Sequence, residues 1–371
     1  MMKEHQIENE KKIIIAGGGT GGHIFPAIAI ANAIKQLEPN SKFLFVGAKG
    51  KMEMDKIPQA GYEIMGLDIA GFNRSSLIKN IGLPFKLLKS FFQVARIIKS
   101  FKPDAVIGVG GYSTYAVLKY AQLKGIPTFI HEANSFAGKS NTLLSKNVTK
   151  VFTAIDGMEK FFPASKIQIT GNPVRSSIAK NLDSRDAAIK YFELDINKIT
   201  ILSIGGSLGA KNINEAIAGN IELFEYNNVQ LIWQTGKTFL AQAKSIAEGR
   251  KNIFVTDFIS DMNLAYAAAD LVISRSGAMS IAELSLVGKP VIFVPFPFAA
   301  EDHQTVNAQR LVEKNAAYMI QDKEAVLKLI PAVIELSKDQ NKMTTLTNNI
   351  KNFGVLNADI EIAQAILKSI Q

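Results

Sequence analysis

The sequence contains no cysteine among its 371 residues and only four histidines. Disulfide bonds and thiolate metal sites are therefore excluded. No His-x-x-x-His or Asp-x-Asp spacing occurs, so we expect neither a metal nor another cofactor. No apolar run reaches the ~18 residues of a membrane-spanning helix. The polar start, residues 1–12, lacks the apolar stretch of a secretory signal. These absences favour a cytoplasmic protein.

Acidic residues are missing from one long segment, residues 72–102. It combines large apolar residues with seven basic ones: Arg74, Lys79, Lys86, Lys89, Arg96, Lys99 and Lys102. This pattern is typical of an amphipathic segment resting on an anionic membrane surface. The alternative is a core helix with a basic solvent face. Its aromatic residues are all Phe within apolar runs and no nucleic-acid motif accompanies them, so we expect no nucleic-acid partner.

Two glycine-rich turns, each directly after an apolar run, indicate the fold. The first is Gly17–Gly22 after Ile13–Ala16, and the second is Gly205–Ala210 after Ile199–Ile204. An apolar run that enters a glycine turn and then a helical pattern predicts a parallel strand opening into a helix. Bare N–H groups in such a turn, together with the helix N-terminus, can hold an anion. The sequence therefore predicts an α/β protein with two Rossmann-like domains whose parallel sheets face a central cleft.

The length of 371 residues is enough for two domains. The Asn-Pro turn within Gly171–Arg175 marks a boundary. We expect an N-terminal domain over 1–174 and a C-terminal domain over 175–351. A terminal helix at about 352–371 should pack back on the first domain through an apolar face made by Ile360, Ala363, Leu367 and Ile370.

Strands and helices are predicted to alternate through both halves. Strands are expected at Lys12–Ala16, Lys42–Val46, Ala105–Val109, Thr128–His131, Lys150–Thr153, Ile167–Thr170, Ile199–Ile204, Val229–Gln234, Ile253–Thr256, Leu271–Ser274 and Val291–Pro295. Helices are expected at about Ile24–Leu37, Leu83–Ser100, Tyr112–Leu123, Ser140–Leu144, Lys211–Glu225, Thr238–Ala247, Met262–Ala269, Ala278–Val287 and Asp302–Lys314.

The first glycine turn formally matches the dinucleotide-binding pattern Gly-x-Gly-x-x-Gly. A dinucleotide site also needs an acidic residue about 20 residues on, at the end of the second strand. Phe43–Lys49 contains no carboxylate, so NAD binding is disfavoured, whereas a substrate phosphate on the loop remains open. His23 follows the loop at the helix start, where an imidazole can accept a proton at neutral pH. The alternative is a histidine that caps the helix or braces the loop.

Three further motifs follow predicted strands and should lie at the ligand-binding edges of the sheets. His131–Asn134 closes one strand, and Asn134 could bind a sugar or only help to fix its loop. Ser274–Glu283 runs through small residues into a helix whose open N–H groups suit a phosphate. Glu283 can hold a ribose diol or merely compensate the helix dipole. Gln304, after the next strand-to-helix loop, could contact a sugar.

Seven sequence blocks occur in one characteristic order: Gly18–Pro26, His131–Asn134, Gly171–Arg175, Gly205–Ala210, Asp257–Ile259, Arg275–Ala278 and Ala300–Gln304. Together they resemble the peptidoglycan N-acetylglucosaminyltransferases of the GT-B type, over nearly the whole chain from about Lys12. The resemblance implies an inverting hexosyltransferase without an active-site metal. Such an enzyme moves GlcNAc from UDP-GlcNAc to the muramoyl 4-hydroxyl of lipid I, giving lipid II. It also implies a peripheral position on the cytoplasmic face of the bacterial inner membrane.

The resemblance also assigns roles to residues of this chain. Glu283 would hold the ribose, Ile259 would meet the uracil, and Ser207 with the helix start at Ala278 would serve the diphosphate. The full set of donor contacts would be Thr20, Gly21, Gly22, Asn134, Arg175, Ser207, Ile259, Ala278, Met279, Ser280, Ile281, Ala282, Glu283 and Gln304. The acceptor would be bound by Gly18, Gly19, Gly110, Gly111 and Tyr112. Our mechanistic hypothesis is an in-line attack by the acceptor hydroxyl, deprotonated by His23 or a nearby base.

Two motifs depart from the family pattern. The family's third glycine loop reads Gly-Gly-Tyr-x-Ser-Gly-Pro, whereas Gly110–Ala116 lacks the small, turn-forming part. The family's His-Glu-Gln-Asn is His131–Asn134 here, with Ala133 in place of the amide. Three other hypotheses are a UDP-GlcNAc 2-epimerase of similar architecture, a nicotinamide oxidoreductase, and a non-catalytic module that binds nucleotide sugars.

Overall fold

The computed structural model describes residues 10–69, 83–174, 184–206, 209–299 and 302–371. The described residues form two compact units, one comprising the chain up to Pro173 together with Asn357–Gln371, the other Val174–Leu356. Each unit is built on a parallel sheet with helices on both faces, which confirms the predicted pair of Rossmann-like domains.

The first unit contains a seven-stranded parallel sheet in the order β3-β2-β1-β4-β5-β6-β7. Its strands are β1 Lys12–Gly17, β2 Lys42–Ala48, β3 Ile64–Leu67, β4 Ala105–Gly110, β5 Thr128–Glu132, β6 Lys150–Thr153 and β7 Ile167–Ile169. Its helices before the second unit are α1 Gly21–Leu37, α2 Glu53–Gln59, α3 Leu83–Phe101, α4 Tyr112–Leu123 and α5 Lys139–Leu144. Single 3₁₀ turns lie at Ser145–Asn147, Met158–Lys160 and Ala164–Lys166.

The second unit contains a six-stranded parallel sheet in the order β10-β9-β8-β11-β12-β13. Its strands are β8 Ile199–Ile204, β9 Val229–Gln234, β10 Ile253–Thr256, β11 Leu271–Ser274, β12 Val291–Phe293 and β13 Tyr318–Met319. Its helices are α6 Arg185–Tyr191, α7 Lys211–Gly219, α8 Glu222–Tyr226, α9 Leu240–Ile246, α10 Met262–Ala268, α11 Ala278–Val287, α12 His303–Val312, α13 Ala325–Lys338 and α14 Gln340–Lys351, with a 3₁₀ turn at Asp322–Glu324.

The central strands are apolar on both faces because helices cover both sides of each sheet. In β1, Ile13 and Ile15 belong to one buried cluster, whereas Ile14 and Ala16 belong to the cluster on the opposite face. In the second unit, Ile201 and Leu202 divide between two clusters in the same way. Continuous apolar strands therefore specify doubly covered sheets.

The chain order reverses on either side of one central strand in each sheet. In the first unit, β1 lies between β2 and β4, and in the second unit β8 lies between β9 and β11. Ligands of such sheets bind beyond the carboxyl ends of the strands at this reversal. The two glycine-rich turns follow β1 and β8 directly, so each lies at the switch point of its sheet.

A last helix, α15 at Ala358–Ser369, completes the first unit. Its buried residues include Ile362, Ala363 and Ile366, which share a cluster with Ile30 and Ile34 of α1. The buried face therefore centres on Ile362 and Ile366. All four residues of the expected face contact this cluster: Ala363 and Leu367 are buried, and Ile360 and Ile370 are partly buried.

Candidate functional site

The first glycine turn packs against the loop after β4. The Gly18 N–H donates to the Gly110 carbonyl at 3.2 Å. A Cβ on Gly111, whose φ is +93°, would lie 2.5 Å from the Gly18 oxygen. Only glycine allows the two loops to approach this closely. The fold thus brings together Gly18, Gly19, Gly110, Gly111 and Tyr112, the residues expected to bind the acceptor; Tyr112 is 49% exposed.

His23 lies in the first turn of α1, between these two loops. Its Nδ1 is 2.8 Å from the Gly18 carbonyl oxygen and 3.5 Å from the Thr20 hydroxyl. A carbonyl can only accept, so the contact with Gly18 requires a proton on Nδ1 and leaves Nε2 as the lone-pair nitrogen of a neutral ring. Nε2 faces Gly110, where a Cβ would come within 2.6 Å.

Three consecutive N–H groups remain available at the start of α1. Within the described part of the chain, the N–H groups of Thr20, Gly21 and Gly22 donate to no protein acceptor, and Thr20 and Gly22 are exposed residues. The first N–H groups of a helix lack intrahelical partners and favour an anion. This arrangement can hold a phosphate beside His23.

Glu53 is a site residue that the sequence reasoning missed. It is 1% exposed, and its carboxylate accepts the Gly19 N–H at 2.8 Å and the Ala48 N–H at 3.0 Å. Phe43–Lys49 contains no carboxylate. Glu53, the first residue of α2, follows this segment closely, and its side chain contacts the glycine turn. The one available signal was an acidic residue soon after the second strand.

His131 and Glu132 end β5 inside the protein. The pKa of His131 is lowered to about 4, mainly because burial disfavours the charged ring and also because two protonated imidazoles at His131 and His23 would repel each other. The Glu132 carboxylate accepts from the Gly138 N–H at 3.0 Å and from the Asn141 side chain at 2.9 Å. It also accepts the Asn134 N–H at 3.2 Å, so Glu132 fixes the loop that carries Asn134.

In the second unit, the glycine turn after β8 is held by close backbone contacts. A Cβ on Gly209, whose φ is +78°, would overlap the Thr235 carbonyl oxygen. The Gln234 side chain donates to the Gly206 carbonyl at 3.0 Å. Two predicted donor contacts, Ser207 and Arg175, lie outside the described residues.

The helix α11 supplies the other half of the predicted donor site. Gly277 is its N-cap, and the described residues from Ala278 to Glu283 form its first two turns. Met279, Ile281 and Ala282 pack into the core, as does Ile259, so the helix start can offer mainly backbone groups and Ser280.

Glu283 and Gln304 are held by neighbouring groups. The Tyr266 hydroxyl donates to Glu283 Oε2 at 3.1 Å, which orients the carboxylate. Gln304 Oε1 accepts the Phe296 N–H at 3.0 Å, while the Gln304 carbonyl accepts from the Ser276 hydroxyl at 2.8 Å. Gln304 therefore lies beside the N-terminus of α11.

Arg275, the first residue of the sequence block Arg275–Ala278, bonds to other groups of the protein. It pairs with Asp322 at 2.5 Å and donates to the carbonyls of Val294 and Pro295. Among the described residues, no group of three His, Cys, Asp or Glu side chains could hold a metal ion.

Both halves of the chain match a known family. Residues 13–153 match the glycosyltransferase family 28 N-terminal domain, and residues 200–362 match the glycosyltransferase family 28 C-terminal domain. The chain is 48% identical over 378 residues, all of both chains, to the UDP-N-acetylglucosamine--N-acetylmuramyl-(pentapeptide) pyrophosphoryl-undecaprenol N-acetylglucosamine transferase of Bacteroides fragilis.

Solved structures agree with this match. The crystal structure of Acinetobacter baumannii MurG has 30% sequence identity and a TM-score of 0.75, covering 96% of this chain and 99% of that chain. The UDP-GlcNAc 2-epimerase from Neisseria meningitidis, bound to UDP-GlcNAc, has 17% identity and a TM-score of 0.65, covering 96% of this chain and 100% of that chain. The likeness to the epimerase shows the fold alone.

The chain therefore belongs to glycosyltransferase family 28, and the enzyme is a hexosyltransferase. Its full-length relatives in that family include MurG-type N-acetylglucosamine transferases, which confirms the resemblance noted in the sequence. A nicotinamide oxidoreductase is not supported.

Proposed function

We propose that this enzyme transfers GlcNAc from UDP-GlcNAc to the muramoyl 4-hydroxyl of lipid I, undecaprenyl-pyrophosphoryl-MurNAc-pentapeptide. The product is lipid II of peptidoglycan synthesis. The observation that carries the proposal is the 48% identity, over the full length of both chains, with the Bacteroides fragilis transferase. The free N–H groups of Thr20, Gly21 and Gly22 and the N-terminus of α11 support the proposal, because groups of this kind can bind a phosphate.

His23 is the proposed general base. With Nδ1 donating to Gly18, the lone pair of Nε2 can take the proton of the acceptor hydroxyl as the oxygen attacks the anomeric carbon. The bond from that carbon to the UDP oxygen breaks on the opposite face, so the configuration inverts. Gly110 borders Nε2. It is a proposed acceptor contact, together with Gly18, Gly19, Gly111 and Tyr112.

The donor is proposed to bind mainly to the second unit. The N-terminus of α11 at Ala278 would stabilise the negative charge that grows on the leaving diphosphate. Glu283, held by Tyr266, would accept from the ribose hydroxyls, and Ile259 would contact the uracil. Gln304 would contact the sugar. Asn134 and the N–H groups of Thr20, Gly21 and Gly22 are the proposed contacts from the first unit.

We also propose that α3 docks the enzyme on the anionic cytoplasmic surface of the inner membrane. Phe85, Leu88 and Phe92 are 77%, 58% and 65% exposed and lie at i, i+3 and i+7 on one helical face. Lys89, Arg96 and Lys99 project from the same side, while Val94, Ile97 and Ile98 face the core. An exposed face of apolar and basic side chains suits anionic lipid. No helix in the described ranges is long and apolar enough to cross a membrane.

The test of the activity is a two-substrate assay. UDP-GlcNAc and a short-chain lipid I analogue are mixed with the enzyme, and UDP release and disaccharide are followed, with and without a chelator. We expect product only when both substrates are present, and no loss with the chelator. Conversion of UDP-GlcNAc alone to another UDP-sugar would indicate an epimerase. UDP binding without transfer would indicate a non-catalytic module. Parallel runs with UDP-glucose and UDP-GalNAc measure sugar selectivity.

A further inference from the structure

One peptide group of the first glycine turn joins two ionisable side chains. Its N–H belongs to Gly19 and donates to Glu53 Oε2 at 2.8 Å. Its carbonyl belongs to Gly18 and accepts from His23 Nδ1, also at 2.8 Å. The carboxylate, the peptide and the imidazole therefore form one hydrogen-bonded chain. Such chains polarise each member and strengthen the bonds at both ends.

The position of Glu53 is built by other parts of the first unit. A Cβ on Gly18 would lie 2.2 Å from the Glu53 carboxyl carbon, and a Cβ on Gly47 would lie 2.5 Å from Glu53 Cγ. One glycine of the first turn and one glycine of strand β2 thus leave room for one buried acidic side chain. Oε1 accepts the Ala48 N–H at 3.0 Å, and within the described ranges no cation pairs with the carboxylate. A buried carboxylate is costly unless it is hydrogen-bonded, so its two N–H donors hold it firmly.

We infer that Glu53 is a positioning residue for His23. Its carboxylate polarises the Gly18–Gly19 peptide, which makes the Gly18 carbonyl a stronger acceptor for Nδ1–H. The neutral imidazole is then held as the Nδ1–H tautomer, with the Nε2 lone pair directed toward Gly110. Glu53 exchanges no proton with His23 and touches no substrate.

The other groups around His23 cannot replace this contact. The Thr20 hydroxyl is 3.5 Å from Nδ1, a longer approach than the 2.8 Å contact with Gly18. Tyr112 begins the neighbouring helix α4, and His131 lies buried at the end of β5, where its low pKa keeps it neutral at neutral pH. Of the described acidic residues, Glu53 is the one bonded to the His23-linked peptide.

The direct test is ¹⁵N NMR of histidine-labelled enzyme above pH 7. Four histidines make the spectrum simple, and a His23→Gln variant assigns the His23 signals. In the wild-type enzyme we expect His23 to be mainly the Nδ1–H tautomer. In Glu53→Gln a neutral amide can satisfy only one of the two N–H groups, so the Nε2–H tautomer of His23 should increase. A wild-type His23 that carries its proton on Nε2 would overturn the inference without any variant.

A matched control separates positioning from loss of structure. The Thr114 hydroxyl is buried and donates to the Ala16 carbonyl at 3.0 Å, beneath the same turn but outside the Glu53 chain of bonds. Thr114→Val should lower thermal stability while leaving the His23 tautomer as in wild type. An equal tautomer change in both variants would show a general loosening of the turn and would overturn the inference, as would an unchanged tautomer in folded Glu53→Gln.

The kinetic readout rests on the proposed function, in which His23 is the base. Because a general base contributes roughly 10²–10⁴-fold, losing its alignment in Glu53→Gln should lower kcat by about 10-fold. The KM for UDP-GlcNAc should stay within about twofold. If Glu53→Gln changes the tautomer but not kcat, the positioning role stands and His23 is not the base. If it changes kcat but not the tautomer, Glu53 affects the reaction without positioning His23, and the inference is wrong.

Discussion

Single side chains at the ends of parallel strands could be predicted from the sequence, because strand and turn residues lie next to each other along the chain. His23 and Glu283 are examples: each follows a glycine or small-residue turn, His23 in the first turn of α1 and Glu283 more than one turn into α11. Glu53 could not be predicted in this way. Its space is made by Gly18 and Gly47, and its role depends on where α2 folds back against the first turn.

Glu283→Gln should raise the KM for UDP-GlcNAc. A hydrogen bond to a charged group contributes roughly 1.5–3 kcal/mol, so replacing the carboxylate by an amide should cost about 10-fold or more in KM. Initial rates at saturating acceptor measure the change. Tyr266→Phe is the matched control, because it removes only the hydroxyl that orients Glu283 and should give a smaller increase. An unchanged KM in Glu283→Gln would remove Glu283 from the ribose site.

The stability of the first unit should depend on the protonation of His131. The folded pKa of about 4 lies below the ordinary value of 6.5, so between these values the unfolded chain binds more protons. Stability present above pH 6.5 is therefore lost as the pH falls toward 4, by on the order of 3 kcal/mol. Urea unfolding at pH 7 and pH 5 measures the first part of this loss, about 2 kcal/mol. His131→Gln should show a smaller loss, and an equal loss in both proteins would refute the assignment.

Among the elements, long and strongly patterned ones were predicted well, and short ones were missed. The predicted helix Tyr112–Leu123 is α4 as observed, whereas Thr238–Ala247 shortens to Leu240–Ile246. The expectations contained neither α2 nor β3, which have seven and four residues. A four-residue strand with mixed burial shows little periodicity, and β2 is its one partner among the described strands. The order of the strands in each sheet could not be predicted from local sequence patterns either, because it depends on contacts between residues that are distant in sequence.

The exposed face of α3 yields a prediction for membrane binding. Phe85→Ser together with Phe92→Ser should weaken binding to vesicles of anionic phospholipid at least 10-fold, since burying one Phe side chain contributes about 1.5–3 kcal/mol. Co-sedimentation at low salt measures it, and added salt should weaken the wild type as well. Leu327→Ser is the control, because Leu327 is 81% exposed on α13 of the other unit. Equal vesicle binding by the double variant and the wild type would show that α3 is not the membrane-binding helix.

At the scale of the whole molecule, we propose that the donor binds mainly to the second unit and the acceptor to the first. If UDP binds mainly to the second unit, saturating UDP should stabilise that unit selectively. At 100 times Kd the expected gain is about 2.7 kcal/mol. Hydrogen exchange followed by mass spectrometry should show added protection around Gly205–Gly206 and Ala278–Glu283, and little in β3 or α3. Protection confined to the first unit would contradict the donor assignment.

The return of α15 to the first unit has a consequence during translation. The ribosome makes all of Val174–Leu356 before it makes the helix whose Ile362 and Ile366 pack against Ile30 and Ile34. While the second unit is being synthesised, Ile30 and Ile34 of α1 therefore lack the helix that packs against them in the folded protein. Nascent chains halted before residue 357 should expose this stripe to chaperones, and the earlier unit should reach its native state only after the last helix has emerged.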